Sequence, residues 1–178
     1  MCKFNLGEAA SNAMAKEIER KFLVASEGWR SAADRGTRLL QAYVVTMDDR
    51  SARVRLMDDE RAKLTIKISN GSMTRDEFEY DIPVADAKEL MSKAIGLVIG
   101  KTRYRVTHGG FVWEVDVYGG AHAGLVIAEV ELSAEGDTPD LPGWLGAEVT
   151  GDPRYSNQYL SINPWVSKDD HELSYSPL

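Results

Sequence analysis

The stretch EIERKFLV, residues 17–24, alternates its side chains with the period of a β-strand. In a strand, Glu17, Glu19 and Lys21 point to one side of the sheet, and the side chains between them point to the other. Two acids and a base on one face form either a solvated surface or the wall of a charged site. The rest of the chain bears on that choice, because the same pattern recurs.

Alternating segments follow one another along the chain and are separated by turn signals such as Asn70-Gly71 and Gly109-Gly110. They predict about eight antiparallel strands, a number that suits a closed barrel. The fold class is therefore predicted as mainly β (α+β), an eight-stranded antiparallel closed β-barrel with a few flanking helices. The further segments are RLLQAYVV (38–45), SARVRL (51–56), KLTIKIS (63–69), DEFEYDIP (76–83), KTRYRV (101–106), VWEVDVY (112–118) and IAEVEL (127–132).

Two segments have helical features instead. Apolar residues recur at helical spacing over 84–96, after Pro83 and up to Gly96, which can end a helix. Asp152-Pro153 has the pattern of an N-cap followed by proline at the first helical position. It predicts a helix that continues to Leu160, and residues 141–165 are expected to be helical in parts.

The composition narrows the class of protein. The chain has 178 residues, of which 43% are hydrophobic, enough for one globular domain. Its net charge of -7 argues against a nucleic-acid binder that relies on a global positive field. The one cysteine, Cys2, forms neither an intramolecular disulfide nor a Cys-based zinc site, which fits the cytoplasm. No apolar run reaches the roughly 20 residues of a membrane helix.

The ends of the chain differ from its middle. Ser11-Asn12-Ala13, just before Met14, resembles the remnant of a removed expression tag, so residues 1–13 are set aside as a tag or disordered leader. One domain is expected over 14–165. The polar segment 166–178 is expected to be a flexible tail.

The charges allow two interpretations. The pattern alone favours a charged, solvated exterior, because charged residues are rarely buried without a partner. However, the signs are segregated by strand, as in a site that holds cations on one wall and a polyanion on the other. The acidic positions are Glu17, Glu19, Glu77, Glu79, Asp81, Glu114, Asp116, Glu129 and Glu131, and the basic ones are Lys21, Arg53, Arg55, Lys63, Lys67, Lys101, Arg103 and Arg105.

EIERKFLV closely resembles the Glu-x-Glu-x-Lys signature of the CYTH superfamily, the triphosphate tunnel metalloenzymes. The later motifs follow in the family's order, and EVTGDPRYSNQYL (148–160) resembles its short bacterial branch. The resemblance covers essentially 14–165 and implies a tunnel with a charged lumen, which reverses the preference for a charged exterior. The later motifs are Arg53-x-Arg55, Thr65-Ile66-Lys67, EFEYDIP, Lys101-x-Arg103, Glu114-x-Asp116 and GLVIAEVEL.

The resemblance also implies roles for individual residues. Glu17, Glu19 and Lys21 are the expected catalytic residues, with two Mg²⁺ or Mn²⁺ ions as cofactors. The expected triphosphate ligands are Lys21, Arg53, Arg55, Lys67, Lys101 and Arg103, with Lys63 and Arg105 less well supported. The expected metal ligands are Glu17, Glu19, Glu114, Asp116, Glu129 and Glu131. Glu77, Glu79 and Asp81 are left open between a structural and a catalytic role.

The implied activity is metal-dependent hydrolysis of inorganic tripolyphosphate to pyrophosphate and phosphate. Three alternatives stay open: an adenylate cyclase, which needs a nucleobase pocket; a thiamine triphosphatase, which needs an aromatic slot from Trp29 or Tyr43; and a non-catalytic polyphosphate- or nucleotide-binding module. The partner is thus a small triphosphate, with neither nucleic acid nor membrane. No serine or cysteine nucleophile is required.

The remaining candidates are interpreted structurally. His108, His122 and His171 lack the paired spacing of a metal site and are expected at the surface. The apolar outer faces, represented by Val115, Val117, Val130 and Leu132, predict either a homodimer interface or coverage by the chain's own helices.

Overall fold

Nine antiparallel β-strands form the fold in the part of the chain that the structure describes. The structure, a computed structural model, describes residues 18–69, 75–134 and 136–165. The strands are β1 (Ile18–Val24), β2 (Thr37–Thr46), β3 (Arg50–Met57), β4 (Arg61–Ser69), β5 (Arg75–Ile82), β6 (Ile95–His108), β7 (Phe111–Tyr118), β8 (Val126–Leu132) and β9 (Leu145–Glu148).

The strands form one sheet in the order β5-β4-β3-β2-β6-β7-β8-β1-β9. The antiparallel sheet confirms the predicted class, but the prediction of a closed eight-stranded barrel is not confirmed. Among the described strands, hydrogen bonding ends at β5 on one side and at β9 on the other. The short β9, Leu145–Glu148, pairs with β1 and takes the edge that β5 would need for closure. The sequence did not predict β9, because four residues contain too little alternation to recognise.

The apolar side of the sheet is covered by the chain itself. Helix α1 (Val84–Met91) places Ala87 against Val54 and Leu56 of β3. A 3-10 helix, Glu27–Ala32, buries Trp29 completely against the strands at the other end of the sheet. Burial of large apolar side chains is the main stabilising term for such a sheet. Both packings occupy one side and leave the charged faces of the strands on the other.

The predicted helix over 84–96 is shorter than expected. Helix α1 ends at Met91, and Gly96 lies inside β6 with φ +76°. A Cβ atom at Gly96 would lie 2.1 Å from the carbonyl oxygen of Ser161, so the residue permits a close approach of two backbones. The amide of Leu97 donates a hydrogen bond to that same oxygen (2.5 Å). Gly96 therefore allows the C-terminal segment to pack against the start of β6, and it does not end the helix.

The predicted helix after Asp152 divides into two short pieces. A 3-10 turn covers Pro153–Tyr155, and Asp152 caps it by accepting a hydrogen bond from the amide of Arg154 (3.0 Å). Helix α2 (Asn157–Leu160) follows, with Ser156 as its N-cap. Leu160 packs into a cluster with Ile99 and Ile127, so this segment closes one end of the charged side of the sheet.

Several sequence predictions concern parts of the chain outside the described residues. They are the leader 1–13, Glu17, the turn at Asn70-Gly71, His171 and the tail 166–178. Within the described ranges, no helix is long and apolar enough to cross a membrane.

Candidate active site

The charged faces of the strands line one cleft of about 740 Å³. Side chains from β1 and from β3, β4 and β5 border the same space, so the sheet curls around it. Most of the predicted site residues meet here, including acids from β7 and β8 and bases from β3 and β6. The predicted residues that line the cleft are Glu19, Lys21, Arg53, Arg55, Lys67, Glu77, Glu79, Arg103, Arg105, Glu114, Glu129 and Glu131.

Two arginines on β3 contribute positive charge to the lining. Arg53 and Arg55 are two residues apart and therefore share one face of the strand. The Nε atoms of both are buried and have no hydrogen-bond partner among the described residues. Burial lowers the pKa of Arg55 to about 10, and the neighbouring charge of Arg53 adds to this effect. Such buried guanidinium donors are suited to binding a polyanion, because a guanidinium binds phosphate oxygens through several N–H groups.

The lysines of β4 have internal counter-ions on the edge strand β5. Lys67 forms an ion pair with Glu77 (2.6 Å), and Lys63 forms one with Glu79. Burial raises the pKa of Glu79, but the hydrogen bond and charge of Lys63, together with the charge of Arg55, outweigh it, and the pKa lies below its ordinary value. Lys63 does not line the cleft, unlike Glu77 and Glu79, which do. The carboxylates of β5 thus neutralise the basic strand beside them.

A wall of carboxylates is contributed by β1, β7 and β8. Glu19 of β1 lies directly opposite Glu131 of β8, and Glu114 of β7 lies directly opposite Glu129 of β8. Like charges at directly opposite positions destabilise a sheet unless a cation lies nearby. Lys21 is such a cation for both pairs, because its Nζ lies 2.9 Å from Glu129 and 3.5 Å from Glu19. Burial lowers the pKa of Lys21, but the charges of Glu129 and Glu19 outweigh this and raise the pKa above its ordinary value.

Arg103, Asp116 and Lys101 form a buried ion network beneath this wall. Arg103 donates from Nε to Asp116 Oδ1 and from Nη2 to Asp116 Oδ2, both at 2.7 Å. Lys101 donates to the same carboxylate, and the side chains of both Lys101 and Asp116 are completely buried. Burial raises the pKa of Asp116, but Lys101 and Arg103 outweigh this and hold it well below its ordinary value. Lys101 and Asp116 therefore lie under the cleft and not on its lining.

The carboxylates of the cleft can be compared with the ligands that a divalent cation requires. Carboxylate oxygens are the ligands that Mg²⁺ and Mn²⁺ prefer, and Glu19, Glu129 and Glu131 share one wall of the cleft. Among the described residues, however, no group of three or more His, Cys, Asp or Glu side chains is spaced to hold a metal ion. Glu129 is ion-paired with Lys21 and Arg103, so its oxygens would have to exchange partners. The carboxylates that line the cleft are therefore suited to binding a divalent cation, whereas Asp116 is completely buried beneath it.

The cleft also contains residues that the sequence did not single out as ligands. The β2–β3 turn contributes Asp48, Asp49 and Arg50, and the segment 156–158 contributes polar side chains at the closed end. Arg50 lies where this turn meets β3, and it reaches the cleft because the hairpin curls over it. Gln41, opposite Arg55, is fully buried, and neither end of its side-chain amide has a hydrogen-bond partner among the described residues.

Some predictions outside the charged wall are wrong. His122 was expected at the surface but is buried, and its Nε2 donates a hydrogen bond to the carbonyl oxygen of Leu160 (2.7 Å). Trp29 is fully buried in the outer core and cannot form an aromatic slot, whereas Tyr43 does line the cleft. His108, also expected at the surface, is half-buried, and its Nε2 lies 3.2 Å from Asp140 Oδ2.

The apolar outer faces have a simpler explanation than a homodimer. Val115, Val130 and Leu132 are buried in one cluster with Trp29 and Trp144 of the same chain. Of the two predictions for these faces, coverage by the chain itself is therefore confirmed. The sequence could not decide between them, because it does not show where the connections between strands pack.

Known proteins resemble this chain over most of its length. A family model described as "CYTH domain" matches residues 15–157. Proteins named inorganic triphosphatase, from Acetivibrio thermocellus and Nitrosomonas europaea, are 44% and 35% identical, covering 85% and 83% of this chain and 97% of each relative. The crystal structure of the inorganic triphosphatase NE1496 aligns with a TM-score of 0.62 at 33% identity, over 84% of this chain and 97% of that one. The chain belongs to the CYTH domain family.

Proposed function

We propose that this protein is a metal-dependent inorganic triphosphatase, which hydrolyses tripolyphosphate to pyrophosphate and phosphate. The observation that supports it most is the pair Arg53 and Arg55, whose buried Nε atoms lack partners within the described ranges and line a cleft with a carboxylate wall. A polyanion supplies acceptors for these donors. The similarity to two proteins named inorganic triphosphatase supports the same substrate.

Basic side chains would hold the substrate. Arg53, Arg55, Lys67, Arg103 and Lys21 surround the cleft and can each contact a phosphate oxygen. They offset the negative charge of the ground state and of the transition state, which phosphoryl transfer needs more than covalent catalysis. In the reaction, the oxygen of water bonds to a terminal phosphorus, the bridging P–O bond breaks, pyrophosphate leaves and one proton is released to solvent.

The carboxylate wall would hold divalent cations. CYTH triphosphatases are metal-dependent enzymes, and we propose Glu19, Glu129 and Glu131 as ligands, with Glu114 near them and Glu17 as a further candidate. A bound Mg²⁺ or Mn²⁺ would polarise phosphate oxygens and lower the pKa of water. The carboxylates would also orient the attacking water. Two ions remain the expectation from the family resemblance.

Substrate choice can be tested by phosphate release. Purified protein is incubated with tripolyphosphate, ATP and thiamine triphosphate, each with Mg²⁺, with Mn²⁺ and with chelator. Metal-dependent release from tripolyphosphate well above the other two substrates is the expected result. Cyclic AMP formed from ATP, without phosphate release from tripolyphosphate, would instead indicate a cyclase. If no product forms from any substrate, the cleft would be interpreted as a binding module without catalytic activity.

The other expectations stay predictions of the same proposal. The cytoplasmic location, the absence of a nucleic-acid partner and the domain limits 14–165 all follow from the sequence. Val115, Val130 and Leu132 do not support a homodimer interface, since these side chains are covered within the chain.

A further inference from the structure

Asp116 differs from the other carboxylates of the site in what surrounds it. Its side chain is 0% exposed, and three donors from two cationic side chains reach its two oxygens. We propose that Asp116 is a positioning residue that holds Arg103 at the cleft, and that it is not a ligand of the divalent cation. This inference rests on the proposed function.

The contacts of Arg103 show what Asp116 would fix. Nε and one hydrogen of Nη2 bind Asp116, the second hydrogen of Nη2 binds Glu129 (2.9 Å), and Nη1 binds Glu114. A guanidinium has five N–H donors in a rigid plane. The two parallel bonds to Asp116 therefore set the plane of the group, and one Nη1 hydrogen is left for a phosphate oxygen. A phosphate can also replace Glu114 on Nη1 without disturbing the bonds to Asp116.

The surroundings of Asp116 do not suit a metal ion. Lys101 lies below it with a side chain that is also 0% exposed, and Arg103 lies between it and the cleft. On the neighbouring strand β8, the residue directly opposite is Ile127, which is fully buried and offers no oxygen ligand. A divalent cation at Asp116 would therefore meet two positive charges and an apolar side chain. Glu131, in contrast, lines the open cleft opposite Glu19.

The two roles predict opposite effects of the substitution Asp116→Asn. The amide keeps the shape of the carboxylate but cannot accept hydrogen bonds at both positions, so Arg103 loses its fixed plane. As a positioning residue, Asp116 affects tripolyphosphate affinity even without metal, by about tenfold or more. As a metal ligand, it would affect the affinity for the cation, and its neutralisation would leave metal-free binding of the anion unchanged or stronger.

Isothermal titration calorimetry separates these effects. Wild type, Asp116→Asn and Glu131→Gln are each titrated with tripolyphosphate in chelator and, separately, with Mn²⁺ alone. Asp116→Asn is expected to lose about tenfold in metal-free tripolyphosphate affinity and to keep its Mn²⁺ affinity within about twofold. Glu131→Gln is expected to lose Mn²⁺ affinity and to keep its metal-free affinity for tripolyphosphate. Asp81→Asn, an exposed change on β5 outside the cleft lining, controls for charge.

Other results would overturn the inference. A loss of Mn²⁺ affinity in Asp116→Asn equal to that of Glu131→Gln makes Asp116 a metal ligand, and unchanged affinity for tripolyphosphate removes the positioning role. Because Asp116→Asn leaves two buried cations without their carboxylate, the double variant Lys101→Met/Asp116→Asn is tested beside it, with the same expectation for Arg103. Wild type that binds no tripolyphosphate contradicts the proposed function itself and removes the inference with it.

Discussion

Glu19 and Glu131 lie directly opposite each other on β1 and β8, and both side chains line the cleft. Two carboxylates in directly opposite positions repel each other in the absence of a cation. Lys21, 3.5 Å from Glu19, offsets part of this repulsion, and the remaining negative charge fits a function that binds cations. The arginines on β3 form the complementary arrangement, with buried guanidinium donors at the opposite side of the cleft. A triphosphate would accept hydrogen bonds from these donors, and divalent cations would neutralise the carboxylates.

The substitution Glu131→Gln tests the carboxylate wall. We expect it to lower kcat by about two orders of magnitude at ordinary Mg²⁺, because a cation loses a charged ligand. Stability should not fall, since the repulsion from Glu19 is relieved. The measurement is phosphate release over a Mg²⁺ titration, together with Tm. Glu60→Gln, in an exposed turn, is the control, and full activity of Glu131→Gln would exclude Glu131 from the metal site.

The substitution Arg55→Met tests whether the basic wall sacrifices stability for binding. Arg55 is largely buried, and burial lowers its pKa to about 10. Replacing it with an apolar side chain should raise the free energy of unfolding by about 1 kcal/mol, because its Nε no longer lacks a partner. The KM for tripolyphosphate should rise about tenfold or more. Urea unfolding and steady-state kinetics check both parts, and Lys93→Met in the exposed turn after α1 is the control. An unchanged KM would remove Arg55 from the substrate site.

His122 attaches the C-terminal segment to the sheet. In His122→Phe the ring volume is nearly kept, but the carbonyl of Leu160 loses its donor. We expect the free energy of unfolding to fall by about 1–3 kcal/mol. The KM should rise as well, because Asn157 and Gln158 line the cleft. Thermal unfolding and kinetics are compared with those of His108→Gln, a half-buried histidine outside this segment; equal behaviour of the two variants would contradict a role for His122 in holding the segment.

The pair Arg20 and Glu148 gives a pH-dependent contribution to stability. Hydrogen bonds from Arg20 and then from Thr150 lower the pKa of Glu148 to about 2. Because the folded pKa lies below the ordinary value of about 4.3, the contribution is present above that value and is lost as the pH falls towards 2. The Glu148 side chain is 41% exposed, so we expect only about 0.5 kcal/mol. Urea unfolding of Glu148→Gln should differ from wild type at pH 7 and coincide near pH 2; a difference that grows in acid would be the opposite result.

The alternating strands were the part of the fold that the sequence predicted best. Charged residues at every second position in β3, β4, β7 and β8 placed Arg53, Arg55, Glu129 and Glu131 on one face, and they meet in one cleft. Period-two alternation shows which residues share a face, but it does not show whether the sheet closes. Among the described strands, the sheet does not close because the four-residue strand β9 occupies the free edge of β1, and a strand this short shows no periodicity in the sequence.

Burial depth was the other property that the sequence could not show. Lys101 and Arg103 are two residues apart on the same face, yet Arg103 lines the cleft and Lys101 lies beneath it. The difference arises because the sheet curls, and curvature comes from packing between distant segments. His122 was missed for a similar reason, since its partner Leu160 is far away in the chain.

The most direct test of the proposed function is ³¹P NMR of tripolyphosphate incubated with the protein while Mg²⁺ is added and then removed with chelator. We predict that tripolyphosphate disappears only in the presence of Mg²⁺, and that pyrophosphate and phosphate appear in equal amounts. Tripolyphosphate that remains intact with both Mg²⁺ and Mn²⁺, or hydrolysis that continues unchanged in chelator, would contradict the proposal that this cleft is a metal-dependent triphosphatase site.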